Sequence, residues 1–458
     1  MTQIAEPFRQ SLAIPVYHRS PVIAQESRLA LLFVVFFFVI LNVQIFSTII
    51  PLAIIAVALV FTVLYHRQLY YFLLKKWIVL AFPAVVLLSA TWSDIPSESL
   101  WYGTQLCVTI AIGLLVGVSA TQRQLLLGVF IAMAIVTLLS IAWGRTGDSA
   151  SGPVLIGVTG SKDQMGFVAL TLLASGMGLL FDQHRPITLR VVALCLIPVG
   201  AYIATHVEAA AAMVGAACAV VGFLGFFFLR YFHLPGRVAL VAVALLVLVP
   251  ASLIAVSQFG RNGEDTMLQA LQKDRTLTGR TIIWDIADHW IEQEPLIGHG
   301  YRSFWLGNSI ESNGLLHHFG ITDGRTFQFH ETYKEILVDT GWVGLIALMI
   351  AGIPFLVYIL ANAFLNPGAP SAFIASMYLL LIARSPLETI ILTFYPYTVL
   401  FYACGAAAIV HFMNKTTVMK PQAVPIRNVD PLRRSPPNVR MSALPSNITP
   451  KSPKGPYS

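Results

Sequence analysis

Almost the whole chain is cut into apolar runs separated by short polar turns, and a single long polar interval, Gln258 to Gly344, interrupts the series. A run of about 20 apolar residues has one ordinary fate: lipid offers no partners for backbone N–H and C=O groups, and a helix satisfies them within one segment. Composition points the same way, with 56% hydrophobic and 11% charged residues against about 25% charged in soluble domains. The expectation is an all-α polytopic membrane protein.

Residues 1–28 are mixed and polar, with Pro7, Pro15 and Pro21. They lack the succession of charged, apolar and small-residue regions that marks a cleaved signal, so they read as a cytoplasmic leader. Residues 29–257 divide into nine spans, residues 336–413 into three more, and about twelve transmembrane helices result, with both ends on one side. Helices 3, 7 and 11 are short or contain proline. The orientation comes from the short loops. Arg67, Lys75, Lys76, Arg185, Arg190, Arg230 and Arg237 all fall on one side, which the positive-inside rule makes cytoplasmic. Residues 258–335 then form one large loop between helices 9 and 10 on the opposite, periplasmic face. The tail, residues 414–458, is rich in Pro, Lys and Arg and reads as disordered and cytoplasmic.

The net charge of +7 resides largely in those basic loops and in the tail, so membrane topology accounts for it and nucleic-acid binding is not implied. Four cysteines, Cys107, Cys195, Cys218 and Cys404, all lie in apolar runs. None is in the large loop where an oxidising compartment could pair them, so no structural disulfide is expected.

Chemistry is sought in the large loop, because loops carry function on rigid scaffolds. Ile283, Ile286, Ala287, Trp290 and Ile291 recur at helical spacing, and Pro295, Gly298 and Gly300 end that pattern. Arg280 lies in the first turn, where a cation opposes the positive helix end and so points to an anionic partner. The plainer alternative is a solvated arginine. His330 stands a few residues before the next span, near the membrane surface, and an imidazole there can accept a proton near neutral pH. Other loop histidines compete with it: His289, His299, His317 and His318. The last three could be read as metal ligands, but they lack ligand spacing on a defined element, and no metal site is expected. Trp290, Tyr301, Phe304 and Trp305 offer faces for sugar rings or, equally, a packed loop core. The chain has no nucleophilic serine elbow, P-loop or dinucleotide fingerprint, which argues against covalent hydrolases and ATP-driven pumps.

His330, Glu331, nine further residues, then Gly341-Trp-Val-Gly344 resemble the His-polar-x9-Gly-x-x-Gly signature of the O-antigen ligase and Wzy-type polymerase superfamily. In the same order, WSDIPSES resembles that family's Trp-Ser-x-x-Pro-x-x-Ser loop, GVTGSKDQMG its Gly-rich Lys-Asn segment, and GRTIIW with PLIGHGYRSFW its Arg-x-x-x-Trp and Pro-x-x-Gly-x-Gly run. Exopolysaccharide-production polymerases of the ExoQ-like branch look most similar. The chain departs from the family at Glu331, where Asn, Ser or Gln is usual, and at Asp163, where Asn is usual. His206 and Glu208 occupy the turn between helices 7 and 8 where ligases tend to have an arginine.

The resemblance implies a GT-C-like membrane glycosyltransferase in the bacterial inner membrane, without cofactor or metal. Its donor would be an undecaprenyl-diphosphate-linked oligosaccharide and its acceptor a growing polysaccharide, with a chain-length regulator and a flippase as partners besides membrane lipids. It implies His330 and Arg280 as catalytic residues, and Lys162, Arg325, Arg302, Glu331 and His206 as substrate-binding ones. Ligase-type transfer to a lipid or protein acceptor is the alternative. A transporter is a third reading, for which Glu208, Asp339, Arg384 and Glu388, at the borders of the spans, are the pertinent residues.

Overall fold

The computed structural model describes residues 27–44, 50–149, 152–206, 210–240, 280–307, 309–321 and 327–418. It is built almost entirely of helices. The first, α1 (Arg28–Ile40), is capped by Ser27, whose hydroxyl accepts from the Ala30 amide, and α2 (Ile50–Lys76) follows. After two short 3-10 turns and α3 (Ala81–Leu88) come α4 (Pro96–Ser119) and α5 (Gln122–Trp143). A small antiparallel hairpin, Thr146–Ser149 with Gly152–Leu155, sits in the Gly-rich segment that follows α5 and is an addition to the expected all-helical chain. Next are α6 (Lys162–Phe181), α7 (Ile187–His206) and α8 (Ala210–Phe228). The loop carries α9 (Arg280–Gln293), α10 (Ser303–Leu306) and α11 (Ile310–His318). The chain then returns through α12 (Thr332–Leu365), α13 (Ala369–Arg384) and α14 (Pro396–Val418).

Seven helical stretches among the described residues are long and apolar enough to cross a membrane, and α1, α13 and the second half of α8 are shorter apolar helices. The chain is therefore a polytopic helical membrane protein. The ninth predicted span lies outside the described residues from position 241 on. HRQLYYFLLKK, expected as a loop, is helical. It continues α2 beyond a break at Tyr65 (φ −114°, ψ 17°) and ends at Lys76, so the two predicted spans on either side form one kinked stretch, Ile50–Thr91. With Arg67, Lys75 and Lys76 beside Tyr70 and Tyr71, it has the mix of aromatic and basic residues suited to a membrane surface. Lys75 lies over the ring of Tyr71, and Lys76 donates to the hydroxyl of Tyr358 at 2.7 Å.

Burial separates inner from outer helices. Helix α6 is buried along nearly its whole length and packs on α5, α7, α8 and α13. Helices α2 and α7 turn large apolar side chains outward, among them Leu52, Leu59, Val63, Val191 and Leu194. Such a surface is an aggregation liability in water and is ordinary against lipid. Small residues allow close approach where α4 meets α14: a Cβ on Gly117 would lie 2.6 Å from the Cβ of Ala406, and one on Gly113 would lie 2.8 Å from that of Tyr402.

Candidate active site

The motifs of the loop are locked together by backbone hydrogen bonds. Gly341 takes φ +61° and breaks α12 after its first nine residues. The amides of Trp342 and Val343, released by the break, donate to the carbonyls of Pro295 (2.9 Å) and Leu296 (3.0 Å). On the other side of the break, Val338 and Asp339 carbonyls accept from His299 (2.9 Å) and Gly300 (2.8 Å). Four orphan backbone groups are thereby satisfied. The approach requires glycine on both strands, since Gly298 also has a positive φ and a Cβ there would lie 2.6 Å from the Thr340 amide. The WSDIPSES segment closes over the same turn. Trp92 Nε1 donates to the Ile297 carbonyl, Ser99 Oγ to that of Tyr301, and the Tyr301 amide to Ser89 Oγ.

Helix α9 lies across this platform and packs on α12. Its apolar stripe, Ile283 and Ala287 with Ile286, Trp290 and Ile291, closes on Phe304, Trp305, Leu315, Phe329 and Val338 to form a separate loop core. Phe304 and Trp305 are buried in this loop core and Tyr301 in the main core, so all three serve packing and offer no open face to a sugar ring. Burying Phe329 decides where its neighbour points. The Phe329 amide donates to Glu335 Oε2 at 2.7 Å, and His330 takes φ +55°, an uncommon backbone for a residue with a side chain. The imidazole then meets the ring of Phe327 edge-on, with centroids 5.2 Å apart. Arg302, at φ +64°, is held likewise: Nη1 donates to Glu335 Oε1 at 2.9 Å and Nη2 to the Phe327 carbonyl at 3.0 Å. Two non-glycine residues in the left-handed region at one site indicate strain held by the surroundings, a pattern common where chemistry is done.

Both side chains line a cavity of about 280 Å³, together with Gln44, Gly160, Ser161, Asp163, Gln164, Phe327, Gln328, Glu388, Leu392 and Tyr395. Its wall includes residues at the starts of three helices, Ser161 and Asp163 at α6, His330 just before α12 and Tyr395 just before α14, and helix N-termini favour negative charge. Glu388 is the hub. Its Oε1 lies 3.4 Å from His330 Nδ1 and accepts from Gln328 Nε2 at 2.9 Å, and its Oε2 lies 3.9 Å from Arg280 Nη2. Arg280 also donates to the Leu387 carbonyl at 2.7 Å. Thr332 Oγ1 donates to the Glu388 carbonyl, and the Thr332 amide to that of Ser385. The segment Ser385–Leu392 is thus sewn to the chain on either side of His330. Burial pushes the Glu388 carboxyl up, but the hydrogen bond from His330 and the charges of His330, Arg384 and Arg280 outweigh it and hold the group below its usual range. Burial drives the Tyr395 hydroxyl well above its usual range, so it stays protonated.

The predicted site residues fare differently. His330, Arg302 and Arg280 converge on Glu388 or on the cavity it lines. Lys162 begins α6 beside the cavity without lining it, although its neighbours Ser161 and Asp163 do. Glu331 stands half-buried at the N-cap position of α12 without a side-chain capping bond; burial raises its carboxyl, partly offset by Lys334. His206 ends α7 exposed and stacked on Tyr202, outside the cavity. Arg325 and Glu208 lie outside the described residues. His299 is held by the Trp290 carbonyl at 2.9 Å and stands apart from His317 and His318 at the end of α11. Among the described residues no three His, Cys, Asp or Glu side chains cluster to hold a metal ion. Sequence reading did not assign Glu388, Gln328, Tyr395 or Gln44 to the site. For Glu388 a signal existed, since ionisable residues at the end of an apolar span mark functional positions.

Residues 191–349 match the family model described as O-antigen ligase. The chain is also 30% identical over 281 residues to the exopolysaccharide production protein ExoQ of Rhizobium meliloti (strain 1021), an alignment covering 59% of this chain and 62% of that relative. The chain thus spans less than two thirds of the relative's length. Arg280, Arg302, His330 and the break at Gly341 all lie within the segment that matches this family model.

Proposed function

We propose that the protein is a glycosyltransferase that joins lipid-linked oligosaccharide repeat units into exopolysaccharide at the outer face of the inner membrane. The observation that carries this reading is the pairing of His330 with Glu388 in one cavity with Arg302, with Arg280 beside the second oxygen of Glu388. It supplies a proton acceptor and an anion site within reach of each other. At about 280 Å³ the cavity is at the small end of ligand sites, which run from about 300 to 1,000 Å³. It suits a diphosphate with the adjoining sugar better than a whole repeat unit.

In the reaction, a hydroxyl of the acceptor glycan attacks the anomeric carbon of the donor as the bond to the diphosphate oxygen breaks. The electron pair leaves on the diphosphate, and one displacement inverts the anomeric centre. His330 takes the hydroxyl proton, and Glu388 on its Nδ1 side orients the ring and steadies the imidazolium that forms, as a buried carboxylate does for a catalytic histidine. Arg280, with Arg302 in the wall, meets charge developing on the leaving diphosphate. Undecaprenyl diphosphate is the carrier implied by the family resemblance, and twelve spans with a periplasmic loop are the topology that would give it access.

The relative is named for exopolysaccharide production and the family model for O-antigen ligation, so polymerisation and transfer to a separate acceptor are the two forms the reaction can take. Deleting the protein decides between them. A polymerase leaves lipid-linked single repeat units accumulating; a ligase leaves finished polymer unattached. Accumulation of neither overturns the proposal, as does substrate transport by the purified protein in liposomes without glycan product. For topology, a reporter active only in the cytoplasm and fused after Gly300 is expected to be silent, and a signal there would reverse the orientation.

Arg280→Lys retains the charge and loses the planar fork that bonds the Leu387 carbonyl and faces Glu388. The two cations are not interchangeable at such sites. Polymer formation is expected to fall at least about tenfold at normal protein level, roughly the loss of one charge-assisted contact of 1.5–3 kcal/mol. Full polymer yield from Arg280→Ala would remove Arg280 from the mechanism.

A further inference from the structure

Gln328 lines the cavity and is bonded at one end of its side chain only. Its Nε2 donates to Glu388 Oε1 at 2.9 Å and stands 3.4 Å from His330 Nδ1, whereas its Oε1 is buried without a hydrogen-bond partner. The amide cannot simply be reversed, because a carboxylate only accepts and the NH2 group must therefore face Glu388. Nor is the backbone loose. Phe329, the next residue, is buried in the loop core and its amide is bonded to Glu335, which fixes the chain between Gln328 and His330. A buried carbonyl left without a donor is costly, and each such group calls for an explanation.

The other polar side chains of the wall show what is missing. Gln164 is spent on backbone at both ends: its Oε1 accepts from the Gly160 amide at 2.9 Å and its Nε2 donates to the Leu41 carbonyl at 3.4 Å. Arg302 is committed to Glu335 and to the Phe327 carbonyl. Glu388 Oε2, like Gln328 Oε1, has no hydrogen-bond partner, since Arg280 Nη2 at 3.9 Å is too far to donate. Asp163 adds a second carboxylate to the wall. The unmatched atoms of Gln328 and Glu388 are both acceptors, so an occupant that completes them brings O–H or N–H groups. A diphosphate offers acceptor oxygens. The sugar bonded to it carries the donors.

We propose that Gln328 is a specificity-determining residue for the transfer reaction: its side-chain carbonyl accepts a hydrogen bond from a ring hydroxyl or amino group of the sugar bonded to the diphosphate. The inference rests on the reading of this cavity as the donor site. It makes a prediction about discrimination as well as rate. A site built to bond one substrate hydroxyl rejects the analogue that lacks it, because its own buried group is then left unpaired. Once the carbonyl is removed, the analogue has nothing left to lose there. A role confined to holding Glu388 instead slows every donor by the same factor.

The test uses the full-length protein in membranes. The probes are the natural lipid-linked donor and a synthetic set in which each hydroxyl or amino group of the sugar next to the diphosphate is replaced in turn by hydrogen. The wild type is expected to prefer the natural donor over one member of the set by at least about a hundredfold in kcat/KM. Gln328→Met is expected to slow all donors and to cut that one preference at least about tenfold, with the other preferences unmoved. If Gln328→Met does not accumulate, Gln328→Ala carries the same comparison. A wild type that rejects no member of the set, or a preference that survives the variant at normal protein level, overturns the proposal. So does a preference that moves only when the missing group is in the acceptor glycan, which would place Gln328 on the other sugar. A wild type that turns over none of the donors, the natural one included, sinks the glycosyltransferase reading itself, whereas normal turnover of the natural donor with unmoved preferences sinks only the role of Gln328.

Discussion

His330→Asn is expected to accumulate at wild-type level and bind lipid-linked donor normally, while turnover falls at least about a hundredfold, the lower range for losing a general acid or base. Asparagine is the informative choice because His330 sits at φ +55°, a region that asparagine tolerates better than alanine. The ring is partly exposed at the cavity and makes one edge contact, with Phe327 at 5.2 Å, so little packing is lost. His289→Ala, on the exposed face of α9, is the control and is expected to stay near wild type. Equal turnover in the two variants would reduce His330 to a surface residue. Glu388→Gln tests the same pair from the other side. It preserves shape and removes the charge that steadies the imidazolium, so it is expected to slow turnover without weakening donor binding.

Much of this was legible in the sequence, and the physical reason differs from part to part. The polytopic helical class could be read because lipid demands long apolar helices, and α9 because Ile283, Ala287 and Trp290 recur with a helical period. The motifs could be matched, but not what they do. PLIGHG, WSDIPSES and Gly341-x-x-Gly344 read as a catalytic signature, whereas their glycines and amides chiefly build the joint between the loop and the broken α12. Glu388 stood out as an ionisable residue at a span border, but its pairing with His330 was beyond sequence reasoning for a plain reason. It is 58 residues after His330, on the far side of two helices, and nothing local in RSPLETI says that its carboxylate returns to the imidazole. For the aromatic residues the sequence left two readings level, sugar platform and packed core. Trp305 and Phe304 have the faces that sugars prefer, yet the loop has to bury something in order to fold, and it buries them.

The second large effect concerns Arg302, where binding and folding are served by one side chain. Its guanidinium is bonded to Glu335 at 2.9 Å, and both groups are almost fully buried beside Asp339 and beneath the cavity. Glu335 in turn accepts from the Phe329 amide and so fixes the residue that aims His330. Arg302→Leu would leave the Glu335 carboxylate buried without its cation. Breaking such a pair by removing one partner costs about 3–5 kcal/mol, a large share of the roughly 5–15 kcal/mol that stabilises an ordinary domain. The variant is expected to lose most of its accumulated protein, unlike Arg280→Lys, which should lose activity alone. Arg302→Met combined with Glu335→Gln removes both charges while keeping an acceptor for the Phe329 amide. It is expected to recover protein level and to remain slow, because the wall has lost its cation. Normal accumulation and thermal stability of Arg302→Leu would mean that the Arg302–Glu335 pair does not hold His330 in place.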